Sequence, residues 1–176
     1  MRAVRLAAIT ALIGLAAASA GCRTAIKQAF SEVKGAQGEF ILVQDVAPTA
    51  LSPYNSFSFD AAITSAGPRI CPPDLLSPYN EAARKLEQDG DLIDLYPGGP
   101  PVIRIQTEFL YSQKKGFFSA AEALARVKFL GEAGVVADGI VRAESESFLR
   151  GDNSALAEAC VRAIRNFLTT RKSSEN

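Results

Sequence analysis

AEALARVKFLGEAGVV, residues 121–136, is the stretch that decides the fold of this chain. Apolar side chains stand at every second position from Ala121 to Phe129, and mostly polar or charged ones stand between them. This period of two is typical of a β-strand with one buried and one solvated face. The glycines of GEAG, residues 131–134, then favour a tight turn. The stretch therefore predicts the centre of an antiparallel hairpin.

The same alternation continues on both sides of this hairpin. Residues 135–147 predict the next strand. Upstream, a strand is predicted that directs Ile103, Ile105, Thr107, Phe109 and Tyr111 toward the core. Residues 39–46 and 54–63 are further strand candidates. Three consecutive strands with short turns predict an antiparallel sheet that is covered on one side only.

Two amphipathic helices are available to cover that side. Ser77 and Pro78 suit the start of a helix over residues 78–88. A second helix is predicted over residues 154–170, with an apolar stripe of Leu156, Cys160, Ile164 and Phe167. The predicted fold class is α+β, a two-layer sandwich of a mostly antiparallel sheet with about two helices on one face. It forms a single domain over residues 39–172, followed by a disordered tail at 173–176.

Composition excludes several kinds of function. The chain has 176 residues, 19 basic and 19 acidic side chains and no histidine. The balanced charge argues against nucleic-acid binding, and the missing histidine excludes catalytic sites and metal sites built on that residue. Phosphate-binding and serine-hydrolase motifs are missing as well. We therefore expect neither an enzyme nor a cofactor or metal site.

The N-terminus has the pattern of a secretory signal peptide over residues 1–21. Arg2 and Arg5 precede an apolar run that is too short, at roughly 24 Å as a helix, for a bilayer core of roughly 30 Å. The sequence SAGC, residues 19–22, resembles the lipobox of bacterial lipoproteins. That resemblance implies a lipid on Cys22. An ordinary secreted protein, cleaved near Ala20, is the alternative. The polar stretch that follows Cys22 predicts a lipidated tether over residues 22–38, and a short helix is the alternative there.

The lipobox also implies a location. A lipidated Cys22 would hold the protein in the cell envelope, facing the periplasm, and stable anchoring needs the two or three acyl chains that such a cysteine carries. Arg23 follows the cysteine, where an aspartate would retain the protein in the inner membrane. The resemblance therefore favours the outer membrane.

A wider resemblance covers residues 54–168. It rests on GGPP at 98–101, VKFL at 127–130, VADG at 136–139 and a C-terminal helix that ends in an aromatic residue. This layout resembles a group of uncharacterised bacterial lipoproteins, whose small α/β domain is similar to the N-terminal domain of the Tol translocation protein. The group has no established activity, so the resemblance implies no catalytic residue.

Cys71 and Cys160 are the cysteines that remain. In an oxidising periplasm they favour one disulfide, and two separate buried thiols are the alternative.

Two acidic sets are candidates for chemistry. Asp89, Asp91 and Asp94 lack the spacing of a calcium loop and suit a solvated helix end. Asp138, Glu144 and Glu146 share one strand face, where an acid–base role competes with cross-strand charge pairing. The basic side chains on that same predicted face are Arg104, Arg126, Lys128 and Arg142.

These observations favour a non-catalytic lipoprotein that binds another envelope protein. The alternative is a small-ligand or glycan-binding module that uses the loops around Tyr54, Tyr79 and Tyr96.

Overall fold

The computed structural model describes residues 36–114, 120–145 and 153–172. The signal peptide, most of the predicted tether, Glu146 and the tail at 173–176 lie outside these ranges. The described strands are β1 (Gln37–Leu42), β2 (Ser56–Phe59), β3 (Val102–Gln113), β4 (Ala121–Gly131) and β5 (Gly134–Ser145). The helices are α1 (Leu76–Leu86), which follows a 3₁₀ turn at Pro73–Leu75, α2 (Gly90–Leu95) and α3 (Asn153–Lys172).

The five strands form one sheet in the order β1-β5-β4-β3-β2. The pairs β1–β5, β5–β4 and β4–β3 are antiparallel, and only the short edge strand β2 runs parallel to its neighbour β3. The hairpin of β4 and β5 lies at the centre of the sheet, which confirms the predicted antiparallel meander. With helices packed on one side, the fold is the predicted α+β two-layer sandwich.

The ends of several elements differ from the prediction. Gln37 and Gly38, expected in the tether, are the first residues of β1. The second strand is confined to Ser56–Phe59, with a separate parallel bridge between Ile63 and Glu108. Helix α2 was not predicted. It begins because the Asp89 carboxylate accepts a hydrogen bond from the Asp91 amide at 3.0 Å, which is the bond of a helix N-cap.

Helix α3 covers the core side of the sheet with its predicted stripe. Leu156, Cys160 and Ile164 are fully buried. At the far end of the helix, the Phe167 ring stacks on Phe40 of β1, with ring centroids 4.4 Å apart. The side chains of β4 that face this layer are alanine near its start and Val127 and Phe129 near its end. The small side chains let the helix layer approach the sheet closely.

One alternation prediction is wrong at the end of β3. Phe109 lies opposite Ala125, but the next pair is Tyr111 with Leu124, so Leu110 is an extra residue in a β-bulge. A one-residue insertion moves every later side chain to the other face. Tyr111 is therefore on the solvated side and partly exposed, whereas Ser112 is buried.

Within the described ranges, no helix combines the length and the apolar character needed to cross a lipid bilayer.

Candidate functional site

The side of the sheet opposite the helices, which we call the open face, is the candidate functional surface. On β3, β4 and β5 its side chains alternate with the fully buried ones, so their direction follows from strand geometry. The open face carries most of the charged strand residues that the sequence singled out. They include Arg104 on β3, Arg126 and Lys128 on β4, and Asp138, Arg142 and Glu144 on β5.

Two clusters of ion pairs, most of them between strands, occupy β4 and β5. The Arg126 guanidinium donates to both carboxylate oxygens of Asp138, with Nε–Oδ1 and Nη2–Oδ2 distances of 3.0 and 2.6 Å. Arg142 donates from Nε to Glu122 at 2.9 Å and from Nη2 to Glu144. Charge pairing therefore explains Asp138 and Glu144, as the second of the two sequence interpretations expects. The third acid of that set, Glu146, lies outside the described residues.

The titration of Asp138 fits this structural role. Hydrogen bonds from Arg126 hold the pKa of the Asp138 carboxyl below its usual range. A general acid or base at neutral pH needs a carboxyl pKa raised toward 7, which is a shift in the opposite direction.

A third cluster includes a residue that the sequence did not reveal. Asp60, just after β2, accepts hydrogen bonds at Oδ2 from Arg104 Nη2 at 2.8 Å and from Gln106 Nε2 at 3.0 Å. The bond from Arg104 is the main cause of the lowered pKa of Asp60. A parallel partner for β3 was not predicted, and without that pairing nothing in the sequence places Asp60 beside Arg104.

A cleft lies between this segment and the open face. It has a volume of about 250 Å³, and we call it the β3–β4 cleft. Its walls include Asp60, Ala61, Ile63, Gln106, Glu108 and Lys128. The ammonium of Lys128 has no hydrogen bond or ion pair to any other described residue, whereas the guanidinium groups of Arg104 and Arg126 are both in ion pairs.

Two of the three tyrosines in the loops predicted to bind a small ligand are buried. Tyr79 is fully buried in α1, where its Oη lies 2.6 Å from Thr107 Oγ1 in a hydrogen bond. The Tyr96 ring is buried too, and its hydroxyl donates to the Leu168 carbonyl at 3.1 Å. Only Tyr54 is partly exposed. The rings of Tyr79 and Tyr96 supply core packing that a chain without tryptophan must obtain from tyrosine and phenylalanine.

The two described cysteines are not joined in the structure. Cys71 and Cys160 are free thiols, each with no exposed surface. Burial raises the pKa of the Cys160 thiol to about 12. The geometry thus corresponds to the alternative of two separate buried thiols.

Asp89 and Asp91, near the start of α2, form ion pairs with α3. Arg165 of α3 donates from Nε to Asp89 at 3.0 Å and from Nη2 to Asp91 at 2.8 Å. This fork fastens α2 to α3 and accounts for Asp89 and Asp91 without calcium, whereas Asp94 is exposed. In the three described ranges, no group of three or more acidic or cysteine side chains could hold a metal ion.

Comparison with known proteins yields distant structural neighbours only. No family model matches the chain, and no curated protein is similar to it in sequence. Two crystal structures of the PelC dodecamer from Paraburkholderia phytofirmans are similar, with TM-scores of 0.44 and 0.43. Their sequence identities are 9% and 8%, and the matches cover 77% and 76% of this chain and 99% and 97% of PelC. A hypothetical protein from Chlamydia trachomatis has a TM-score of 0.39 at 8% identity, over 67% of this chain and 98% of that one.

Proposed function

We propose that this protein is a lipid-anchored lipoprotein of a bacterial envelope, which binds a protein partner through the open face of its sheet and catalyses no reaction. The observation that carries the proposal is the asymmetry of the fold. One face of the sheet is covered by α1 and α3, and the other bears side chains that no described element covers.

The composition of the open face suits a protein interface. Ile41 and Val43 at the β1 edge are 46% and 61% exposed, and Ile140 of β5 lies directly opposite Ile41. We call these three side chains the β1–β5 patch. The ion pairs Arg126–Asp138 and Arg142–Glu122 lie beside it. An apolar centre with a rim of charged groups is the usual anatomy of a protein–protein interface.

The lipid anchor completes the proposal. The lipobox-like SAGC at residues 19–22 supports a lipidated cysteine shortly before β1 in the sequence, and acyl chains on Cys22 would keep the domain at a membrane surface. A partner in the same envelope would then meet the open face at a high effective concentration. The proposed location of the anchor is the outer membrane, with the domain facing the periplasm.

Site-specific photocrosslinking in living cells tests the partner surface. A photoreactive amino acid at Val43 should crosslink to one envelope protein, identified by mass spectrometry. Ile93 of α2, which is 51% exposed, is the matched control and should give no such product. Equal products at both positions, or no product at Val43, would contradict binding through the open face.

Fatty-acid labelling tests the anchor separately. Cells that express the wild-type chain should incorporate radioactive palmitate into it, and the Cys22→Ser chain should incorporate none. Label that persists in the variant would exclude Cys22 as the lipidated residue.

The small-ligand alternative has one observation in its favour. The buried tyrosines cannot serve it, but the β3–β4 cleft offers a cavity with Lys128, whose ammonium makes no hydrogen bond or ion pair to another described residue.

A further inference from the structure

The β3–β4 cleft is a small cavity with one apolar wall. The segment after β2 forms that wall, where the Ile63 side chain is 60% exposed and Ala61 stands next to the charged cluster around Asp60. The opposite wall is the open face of β3 and β4. At about 250 Å³ the cleft is below the roughly 300–1,000 Å³ of sites for drug-sized ligands, so its ligand is small.

The charges of the cleft leave one cation available. Asp60 already accepts hydrogen bonds from Arg104 and Gln106, and Asp138 accepts two hydrogen bonds from Arg126. Lys128 lies opposite Gln106 on one side and opposite Asp138 on the other, and its ammonium donates to no other described residue. An ammonium has three donors and attracts a compact anion.

A carboxylate suits this cation better than a phosphate does. Asp60 and Glu108 also line the cleft, so a doubly charged group would meet two carboxylates with only one free cation to balance them. A singly charged carboxylate on Lys128 adds only half of that negative charge beside Asp60 and Glu108.

Glu108 supplies the complementary group. One of its oxygens accepts from the Ser65 hydroxyl, and no hydrogen bond to the other oxygen connects it to the described residues. Glu108 lies opposite Arg126, so Lys128 is its diagonal neighbour across β3 and β4, at about 7–8 Å for such pairs. A ligand ammonium placed against Glu108 would therefore lie a few ångströms from a carboxylate placed against Lys128.

We infer that the β3–β4 cleft binds a small zwitterion, with its carboxylate on Lys128, its ammonium on Glu108 and its apolar part against Ile63. A free apolar α-amino acid has this chemistry. The cleft is distinct from the β1–β5 patch, so failure of partner crosslinking at Val43 and failure of zwitterion binding are separate results.

Calorimetric titration of the full chain in detergent with three matched probes tests the inference. L-leucine carries both charges, leucinamide lacks the carboxylate, and 4-methylpentanoate lacks the ammonium. Leucine should bind saturably, and each single-charge probe should bind at least about tenfold more weakly, the loss expected when one charge-assisted hydrogen bond is removed. Leucyl-leucine should also bind more weakly, and tighter binding of this dipeptide would overturn the assignment to a free amino acid.

Variants assign the two charges to residues. Lys128→Gln should weaken the binding of leucine at least about tenfold and leave the binding of leucinamide unchanged. Glu108→Gln should weaken the binding of leucine and leave the binding of 4-methylpentanoate unchanged. Lys85→Gln removes an exposed charge of α1, on the opposite side of the sheet from the cleft, and is the control. Thermal melting confirms that each variant is folded. Absence of saturable binding up to about 10 mM leucine, or equal weakening by Lys85→Gln, would overturn the inference.

Discussion

Gly38 is the residue at which helix α3 meets the edge of the sheet. A Cβ at this position would lie 2.1 Å from the Ala159 carbonyl oxygen, which belongs to the helix backbone and cannot rotate away. Gly38→Ala must therefore separate β1 from α3. We expect the free energy of unfolding to fall by about 2 kcal/mol or more, measured by urea denaturation.

Gly90→Ala is the control for this substitution. A Cβ at Gly90 has no atom within 4 Å, and alanine suits the first residue of α2. Its stability should be unchanged or higher by up to about 1 kcal/mol. Equal stability of the two variants would show that the close contact between β1 and α3 is absent.

The Tyr79–Thr107 hydrogen bond is the second prediction for a single residue. Both side chains are buried, so Tyr79→Phe leaves the Thr107 hydroxyl without a partner in the core. The free energy of unfolding should fall by about 1–3 kcal/mol. Adding Thr107→Val should recover part of the loss, because the orphaned hydroxyl is then removed.

Tyr111→Phe provides the comparison. The Tyr111 hydroxyl donates to Gln113 on the solvated side of the bulge, and its loss should change stability by less than about 0.5 kcal/mol. A similar loss in both tyrosine variants would mean that the Tyr111 hydroxyl does not lie on the solvated side of the sheet.

At the scale of elements, the ion pair between β4 and β5 makes the free energy of unfolding depend on pH. Arg126 lowers the pKa of Asp138 in the folded protein, whereas in the unfolded chain an aspartate titrates near pH 3.9. The resulting stabilisation is complete above about pH 4. It is lost as the pH falls through the lowered folded pKa, because the unfolded state binds its proton first.

Asp138→Asn should therefore be less stable than the wild type at pH 6, and the difference should shrink toward pH 2. Thermal melting or urea denaturation at a series of pH values measures it. Asp45→Asn, in the exposed segment after β1, is the matched charge change. A constant difference between wild type and Asp138→Asn across this range would disprove the ionic contribution of the pair.

At the scale of the whole molecule, the two buried cysteines report on folding. The structure predicts that neither Cys71 nor Cys160 reacts with an alkylating reagent in the folded Cys22→Ser chain, because both are buried and the pKa of Cys160 is about 12. After unfolding without reductant, mass spectrometry should show both cysteines alkylated. If they react only after reduction, they form the disulfide that the sequence favours.

The period-two pattern of residues 103–145 and the stripe of α3 were enough to predict a two-layer α+β fold. Such patterns are local, because strand and helix geometry alone decide which side chains share a face. The lipobox is also a local signal, and Cys22 lies outside the described residues, so its lipidation stays a prediction. The charge pairing of Asp138 could be anticipated because its partner lies on the adjacent strand of the predicted hairpin.

Only the tertiary structure decided the features that depend on register and distant packing. The bulge at Leu110 turned Tyr111 outward, and the parallel pairing of β2 with β3 brought Asp60 beside Arg104. Packing of the sheet against the helices buried Tyr79 and Tyr96, and the segment after β2 formed the β3–β4 cleft beside the open face. Alternation specifies the face of a side chain, but its neighbours across the sheet follow from strand order and register, which no short stretch of this chain encodes.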